Sequence, residues 1–130
     1  MGEQGYLIDS NVIIDWLAGR FENRAKTFLN DIINEFPQIS VISKIEILGY
    51  NSTKKDQEIL EEFIRESLVF NLTDDIISIC ISIRKKYKTK LPEEIIASTA
   101  ISNNFTFVTR NFKDFEKVQN LELLNPYEII

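Results

Sequence analysis

The sequence contains no histidine and a single cysteine, Cys80. The lack of histidine excludes histidine-based zinc sites, Ser-His-Asp triads and imidazole proton shuttles, and one cysteine forms neither an intramolecular disulfide nor a cysteine-rich metal site. Most hydrolase mechanisms are thereby removed. Metal chemistry in this chain would depend on oxygen ligands, which favour hard cations such as Mg²⁺ or Mn²⁺.

Glycine and proline are also scarce, since the 130 residues include only four glycines and three prolines. No low-complexity tract, repeat or long linker divides the chain, so we expect residues 1–130 to form one domain. With 44% hydrophobic residues, a chain of this length can build its own core without a disulfide or a structural metal.

A surplus of positive charge and long apolar runs are absent too. The 15 basic and 20 acidic residues give a net charge of −5, which argues against a protein that coats nucleic acid through a basic surface. No stretch reaches the roughly 18 apolar residues needed to span a bilayer. The opening MGEQGYLIDSN lacks the basic start and apolar core of a secretory signal. We therefore expect a cytoplasmic protein with no membrane partner.

The spacing of apolar residues predicts short strands that alternate with helices. Strands are predicted at 6–8, 39–42, 68–72, 105–108 and 121–124. Helices are predicted at 12–17, 22–36 and 43–50, around Ile59 to Ile64, after a Thr73 cap and from Pro92 onward. Strands separated by helices pair in parallel through crossover connections, so the sequence predicts an α/β domain with helices on both faces of the sheet.

Polar segments follow several of the predicted strands. Asp9, the turn 43–46 and the loop 109–114 each come directly after a strand. Open α/β sheets bind ligands beyond the carboxyl ends of their strands. We therefore expect these three segments to converge on one site.

Two of the acidic residues near the N-terminus also have purely structural explanations. Asp9, Ser10 and Asn11 are all favoured in turns, because their side chains bond to nearby backbone N–H groups. Asp15 lies in an amphipathic helix, where a solvated carboxylate on the outer face is the simpler expectation.

The later acidic residues have structural alternatives as well. Ser43 and Glu46 fit a capping box, in which each side chain satisfies the other residue's backbone N–H. Glu93 and Glu94 follow Pro92 in a first helical turn, where the helix dipole favours negative charge. The polar residues of loop 109–114 suit a turn.

Taken together, these segments resemble a known family. The stretches YLIDSNVIIDWLAG, ISVISKIEILGY, and LPEEIIASTAISNNFTFVTRNFKDF with LELLNP resemble, in order, the PIN-domain family and especially its VapC-like toxins. The resemblance extends over most of the chain. It implies a three-layer α/β/α sandwich with a central, mainly parallel sheet of four to five strands.

The resemblance also implies a Mg²⁺- or Mn²⁺-dependent endoribonuclease whose carboxylates are both metal ligands and catalytic groups. Asp9 matches the first acidic position, Glu46 the second and Glu93 the third. Relatives usually have Asp at the third position, and the extra methylene of Glu93 moves its carboxylate outward by about a bond length, which matters to a metal that demands octahedral geometry.

The fourth acidic position of the family aligns with Asn111, a neutral and therefore weaker ligand. Asp114, three residues later, is the residue expected to compensate as a metal ligand and catalytic group. Ser10 and Asn11 match the pair that follows the first Asp in the family. Together with Thr109, they are expected to orient the carboxylate or the substrate.

An acidic nuclease needs local positive charge to hold RNA. The densest basic segment, 84–90, predicts RNA contacts from Arg84, Lys85 and Lys86, with Arg110 as a further contact. The structural alternative is a solvated helix C-terminus, where cations complement the dipole. The resemblance implies a structured RNA substrate such as tRNA, a homodimer and a VapB-like antitoxin that blocks the site.

Two other functions stay open from the sequence. A PIN-like interaction module with weak or lost catalysis is consistent with Glu93 and Asn111 at positions where relatives have Asp. A receiver-like phosphoacceptor domain also uses a strand-end Asp and Mg²⁺. The acidic pair near the N-terminus and the late strand-end Lys that a receiver requires are missing, so this alternative fits less well.

Overall fold

A computed structural model describes residues 5–34 and 36–130; the first four residues and Glu35, which falls within the predicted helix 22–36, lie outside the described residues. No helix in these ranges is long and apolar enough to cross a membrane. The elements, in chain order, are β1 (Gly5–Ile8), α1 (Ser10–Leu17), α2 (Asn23–Ile33), β2 (Gln38–Ser40), α3 (Val41–Leu48), α4 (Lys54–Arg65), β3 (Leu68–Phe70), α5 (Asp74–Lys86), α6 (Leu91–Ser102), β4 (Phe105–Val108), α7 (Phe112–Phe115), β5 (Glu122–Leu124) and the 3₁₀ helix Pro126–Glu128.

All of these strands pair in parallel, as the alternation with helices predicts. β4 lies between β1 and β5, and β2 pairs with β3. The five expected strands are therefore hydrogen-bonded as a sheet of three and a sheet of two. The side-chain amide of Gln38 donates to the carbonyl of Tyr6 at 3.1 Å, which joins β2 to β1.

The strands of the larger sheet separate two apolar cores. Ile8 and Val108 pack in one core with residues of α1, α2, α3 and α4. Leu7 and Phe107, which alternate with them along the same strands, pack in the other core with α5, α6 and α7. Successive side chains of a strand point to opposite faces. The molecule is therefore the α/β fold with helices on both faces that the sequence predicts.

The helix that carries Glu46 begins earlier than predicted. We expected a strand to residue 42 and a helix from Ser43, but β2 ends at Ser40 and α3 begins at Val41. Ser40 is the N-cap, and its Oγ accepts a hydrogen bond from the N–H of Ser43 at 3.1 Å. The predicted capping box is therefore wrong, because Glu46 lies a turn too far along α3 to return the bond.

The ends of α5 and α6 agree with their sequence signals. Thr73 caps α5 by accepting a hydrogen bond from the N–H of Ile76 at 3.2 Å. Acidic residues occupy the first turn of α5 and basic residues its last turn, an arrangement that complements the helix dipole. Pro92 lies in the first turn of α6.

Candidate active site

Asp9 lies at the adjacent carboxyl ends of β1 and β4. Its N–H donates to the carbonyl of Val108 at 3.0 Å. The hydroxyl of Thr109 donates to Asp9 Oδ2 at 2.7 Å, and the N–H of Ser10 donates to Oδ1 at 2.9 Å. Asp9 is therefore the N-cap of α1, which agrees with the expectation that its side chain bonds to a nearby backbone N–H. Bonds to both oxygens also hold its carboxylate in one orientation.

Ser10 connects Asp9 to the second predicted carboxylate, Glu46. The side chain of Ser10 is buried, and its hydroxyl donates to Glu46 Oε1 at 3.0 Å. The contact is possible because α3 packs directly against α1. Glu46 thus makes a bond toward the strand ends in place of the predicted capping bond.

Glu93 brings a third carboxylate to the same place from the first turn of α6. Its Oε2 is buried and has no hydrogen-bond partner among the described residues. The charge of Glu93 acts on both Asp9 and Glu46. The structure therefore brings Asp9, Glu46 and Glu93 together from three separate elements.

Burial and mutual repulsion disfavour the ionised forms of two of these groups. Burial raises the pKa of the Asp9 carboxyl; the bonds from Thr109 and Ser10 oppose this rise, and the charge of Glu93 adds to it. Burial also raises the pKa of Glu46, as do the charges of Asp9 and Glu93, against the bond from Ser10. A cation placed among the three carboxylates would relieve these costs.

The chemistry of the site fits a divalent cation, although its side chains are not gathered around one. As they stand, no group of three or more Asp, Glu or Cys side chains in the described ranges is arranged to hold a metal ion. The donors that converge are nonetheless all oxygens, which suit Mg²⁺ or Mn²⁺. Glu93 Oε2 is a buried carboxylate oxygen without a hydrogen-bond partner among the described residues. A buried polar atom of this kind is normally satisfied by a hydrogen bond or by a bound ion.

Asn111 and Asp114 are exposed and bond to each other at the start of α7. Asn111 Oδ1 accepts from the N–H of Asp114 at 3.3 Å, and its Nδ2 donates to Asp114 Oδ2 at 2.9 Å. The N–H of Asn111 also donates at 3.0 Å to Thr109, whose hydroxyl holds Asp9. Asp114 lines the same cavity as Glu93. The pair organises the turn and lies beside the carboxylates.

Asn11 and Arg110 meet the C-terminal segment at the edge of the site. The hydroxyl of Tyr127 contacts the carbonyl of Asn11 at 3.5 Å, and the guanidinium of Arg110 lies 4.6 Å from the centre of the Tyr127 ring. Arg110 is exposed and directly follows Thr109. Tyr127, in the 3₁₀ helix Pro126–Glu128, therefore packs against the guanidinium of Arg110, the residue that follows Thr109.

Asp15 is not the solvated carboxylate that its helix predicts. Its side chain is only 15% exposed and pairs with Arg20 at 2.7 Å, and it also accepts a hydrogen bond from the hydroxyl of Tyr127. Burial, followed by this contact, raises the pKa of Tyr127 above its usual range. Tyr127 and Asp15 are 112 residues apart in the sequence, so no local pattern predicts the contact between the C-terminal segment and α1.

Glu94 forms a buried cluster that the sequence analysis missed. Its side chain is 1% exposed; Arg84 Nη1 donates to its Oε1 at 2.8 Å and Thr89 Oγ1 to its Oε2 at 2.9 Å. Arg84, a predicted RNA contact, is thus ion-paired while its side chain stays 60% exposed. No local sequence pattern predicts this pairing, because it depends on α5 packing against α6, and a carboxylate buried in that way needs a partner.

Lys85 and Lys86, the other predicted RNA contacts, are exposed in the last turn of α5. Lys86 Nζ donates to Gln119 Oε1 at 2.7 Å. The described lining of the cavity beside Glu93 includes Arg84 but neither of these lysines. Neither lysine therefore shares that cavity with Glu93.

A family model identifies most of the chain. The model of the PIN domain matches residues 6–121, which include all the strand-end residues described above. No curated protein sequence is significantly similar to the chain.

The fold is similar to chains from several solved toxin-antitoxin complexes. One from Klebsiella pneumoniae superposes with a TM-score of 0.76 at 26% identity, covering 96% of this chain and 100% of that one. VapBC2 from Rickettsia felis, bound to a DNA fragment from its promoter, gives 0.72 at 21% identity over 92% and 97% of the two chains. VapBC-1 from nontypeable Haemophilus influenzae gives 0.74 at 20% identity over 95% and 98%. The chain belongs to the PIN domain family, and its fold is that of the VapC-like toxins.

Proposed function

We propose that this protein is a Mg²⁺- or Mn²⁺-dependent endoribonuclease of the VapC-like toxin type, which hydrolyses phosphodiester bonds in structured RNA such as tRNA. PIN and VapC family members are generally nucleases that use divalent metal ions. One observation carries the proposal for this chain. Asp9, Glu46 and Glu93 converge from three elements at the carboxyl ends of the strands, with one buried Glu93 oxygen unpartnered.

The carboxylates of Asp9, Glu46 and Glu93 would hold the cation, and Asn111 and Asp114 are candidate donors on the side of α7. When bound, such an ion polarises a phosphoryl oxygen and makes a water molecule more acidic. Negative charge at the site is otherwise unfavourable for a polyanionic substrate. The cation would therefore offset the repulsion between these three carboxylates and a substrate phosphate.

Ser10 and Thr109 are positioning residues in this proposal. Their hydroxyls hold Glu46 and Asp9 at 3.0 and 2.7 Å, respectively, so neither carboxylate is free to turn away from the site. Arg110, stacked on Tyr127, is placed to contact a substrate phosphate at the edge of the site. Asn11 is exposed in the first turn of α1, close to Asp9, and its side-chain amide can donate a hydrogen bond to the same phosphate.

The proposal includes an antitoxin and a second copy of the chain as partners, in the cytoplasm where the RNA substrates are. The similar structures come from toxin-antitoxin complexes. A groove lined by Leu17, Tyr50 and Ile59 lies between α1 and α4 and suits an apolar segment of an antitoxin. Ile77 and Ile81 are exposed one turn apart on α5 and suit a symmetric dimer contact.

Cleavage of a total tRNA pool by antitoxin-free protein tests the proposal. We expect discrete products with Mn²⁺ or Mg²⁺, none with EDTA, and at least about a 100-fold slower reaction with Asp9→Asn, since loss of an outer-sphere partner alone costs 10- to 100-fold. The variant keeps an acceptor at the N-cap of α1, and circular dichroism checks its fold. A folded protein that cuts no RNA with either metal would contradict the proposal and favour the interaction module.

A further inference from the structure

Helix α6, which carries Glu93, begins without a side-chain cap. Its N-cap residue is Lys90, whose side chain makes no capping hydrogen bond, whereas α1, α3, α4 and α5 each begin with one. The first N–H groups of a helix have no partner within the helix, so an uncapped first turn tends to fray. Glu93 lies in this turn, and a different contact is therefore needed to keep it in place.

A hydrogen bond between Thr89 and Glu94 supplies such a contact. Thr89 immediately precedes the N-cap residue, and Glu94 is the fourth residue of the helix. The hydroxyl of Thr89 donates to Glu94 Oε2 at 2.9 Å. In many helices an apolar pair at these two positions fixes the angle at which the chain enters the helix. Here a polar pair occupies the same positions and can fix the same angle.

Arg84 ties the same carboxylate to the neighbouring helix, α5. Its Nη1 donates to Glu94 Oε1 at 2.8 Å, and the hydroxyl of Ser98 donates to the backbone carbonyl of Glu94 at 2.6 Å. The side chain of Glu94 is only 1% exposed, so water competes little for these bonds. Arg84, Thr89 and Glu94 together form what we call the α6 clamp, which holds the first turn of α6 against the end of α5.

Glu93 needs this support because little else holds its carboxylate in the site. Its buried Oε2 has no hydrogen-bond partner among the described residues. Its charge also acts against those of Asp9 and Glu46, and repulsion of this kind favours movement of the first turn of α6 away from the other two carboxylates. Glu94 is the next residue in the chain, so the α6 clamp opposes that movement through the backbone.

We propose that Glu94 is a positioning residue, which with Arg84 and Thr89 keeps the Glu93 carboxylate within reach of a divalent cation shared with Asp9 and Glu46. Both Glu94 oxygens are bound by other side chains, so Glu94 acts through Glu93 and not as a ligand. The inference rests on the proposed function in one respect, because it takes the three carboxylates as a metal site. An anchor with a purely structural role would change the melting temperature and leave the Mn²⁺ affinity of the folded protein unchanged.

Calorimetric titration of Mn²⁺ into antitoxin-free protein, well below its melting temperature, tests the α6 clamp. Thr89→Val removes the donor while keeping the charge and nearly the same shape. We expect it to weaken Mn²⁺ binding about tenfold, the lower end of the range for residues that support metal ligands. Thr89→Ser keeps the hydroxyl and should retain most of the affinity. The matched control is Thr53→Val, which removes a hydroxyl that caps α4, and it should bind Mn²⁺ as the unaltered protein does.

Arg84→Ala separates positioning from the direct effect of charge. Removal of a positive charge close to a cation site would by itself strengthen cation binding. We expect weaker Mn²⁺ binding instead, because Glu94 then loses its tie to α5. Circular dichroism at the titration temperature checks that each variant is folded.

Three results would overturn the inference: equal Mn²⁺ affinity of Thr89→Val and the unaltered protein, an equal loss in Thr53→Val, or tighter binding by Arg84→Ala. RNA cleavage by the same samples separates the two proposals. If Mn²⁺ binding depends on the α6 clamp but the RNA stays intact, the positioning role stands and the proposed nuclease activity fails. If Thr89→Val binds Mn²⁺ and cuts RNA as the unaltered protein does, the nuclease stands and the positioning role fails. Absence of Mn²⁺ binding by the unaltered protein would refute the positioning role together with the metal site.

Discussion

Asp9 owes its orientation to a residue 100 positions away in the chain, Thr109. The strand-end position of both residues was predictable from the apolar runs before them. The hydrogen bond between them was not, because it depends on β1 and β4 being neighbours in register, with Ile8 opposite Val108. A sequence pattern identifies polar residues at strand ends, and the strand order decides which of them meet.

Replacing Thr109 by Val tests whether this hydroxyl positions Asp9 for catalysis. Valine has nearly the same shape, but it cannot donate to Asp9 Oδ2, so we expect RNA cleavage to slow by about 10- to 100-fold, as for other residues that support metal ligands. Thr109→Ser keeps the donor and should retain most of the activity. Unchanged cleavage rates in Thr109→Val would show that the bond has no catalytic role.

Glu94 and Arg84 illustrate a different limit of sequence analysis. Both residues lie in segments of evident charge, and the sequence favours a solvated helix end for one and a helix start for the other. Their pairing depends on α5 packing against α6, which buries Glu94 and leaves Arg84 partly in water. Such pairing across helices has no local signature.

The cost of losing this ion pair should depend on which partner stays buried. Arg84→Ala leaves the Glu94 carboxylate in the interior with Thr89 alone, and we expect it to lower the free energy of unfolding by about 1.5 to 3 kcal/mol, the range for a lost hydrogen bond to a charged group. Arg65→Ala, also in the last turn of a helix, removes an exposed pair with Glu62 and should lower the free energy of unfolding much less, because an ion pair in water contributes little to stability. Urea denaturation of both variants measures the difference; equal costs would contradict the buried pairing.

The first turn of α6 holds two adjacent glutamates that serve different purposes. Glu93 faces the strand-end carboxylates, and Glu94 faces Arg84 and Thr89. Neighbouring residues on a helix point in directions about 100° apart, so one turn can supply both a site residue and a structural anchor. The sequence predicts the turn from Pro92, but it does not predict which glutamate faces the site; that assignment came from the family resemblance.

Variants of Glu93 test its assignment as the third carboxylate. Glu93→Gln keeps the shape and removes the charge, so we expect cleavage to fall by at least about 100-fold. Glu93→Asp should stay within about tenfold of the unaltered protein, because it retains the carboxylate that a divalent ion requires. Cleavage that survives in Glu93→Gln and is lost in Glu94→Gln would reverse the assignment.

Helix α3 shows why element boundaries are the weaker part of the prediction. Serines at positions 40 and 43 both suit an N-cap, and the local sequence favours the second because Glu46 completes a capping box with it. The pairing of β2 with β3 ends at Ser40 opposite Phe70, and the helix begins there. This tertiary constraint frees Glu46 from a capping role and lets it reach Ser10.

The molecule as a whole tolerates an unfavourable group of charges at the edge of its sheet. The fold class, the strands and the three carboxylates followed from the sequence and its family resemblance. The ion pair between Arg84 and Glu94 and the return of Tyr127 to α1 required the assembled structure, since each depends on how separate elements pack together. Burial raises the pKa values of Asp9 and Glu46, and the charge of Glu93 adds to both rises, so the site should destabilise the metal-free fold.

The pH dependence of stability tests this conclusion. The folded-state pKa values of Asp9 and Glu46 are raised, so their contribution to stability is present at low pH and lost as pH rises through the folded-state values. In EDTA, Asp9→Asn should therefore melt at a higher temperature than the unaltered protein at pH 7, and the gap should close toward about pH 4. A lower melting temperature of Asp9→Asn at pH 7 would contradict this account.

Direct titration of Mn²⁺ into the antitoxin-free protein, followed by calorimetry, tests the central claim that the three carboxylates form one metal site. We predict saturable binding to the unaltered protein that is lost in both Asp9→Asn and Glu93→Gln, because the two residues contribute charge to the same ion from β1 and α6. The control variant is Glu62→Gln, which removes an exposed carboxylate on α4, and it should bind Mn²⁺ as the unaltered protein does. Equal Mn²⁺ binding by Asp9→Asn and the unaltered protein, or none by either, would contradict the site.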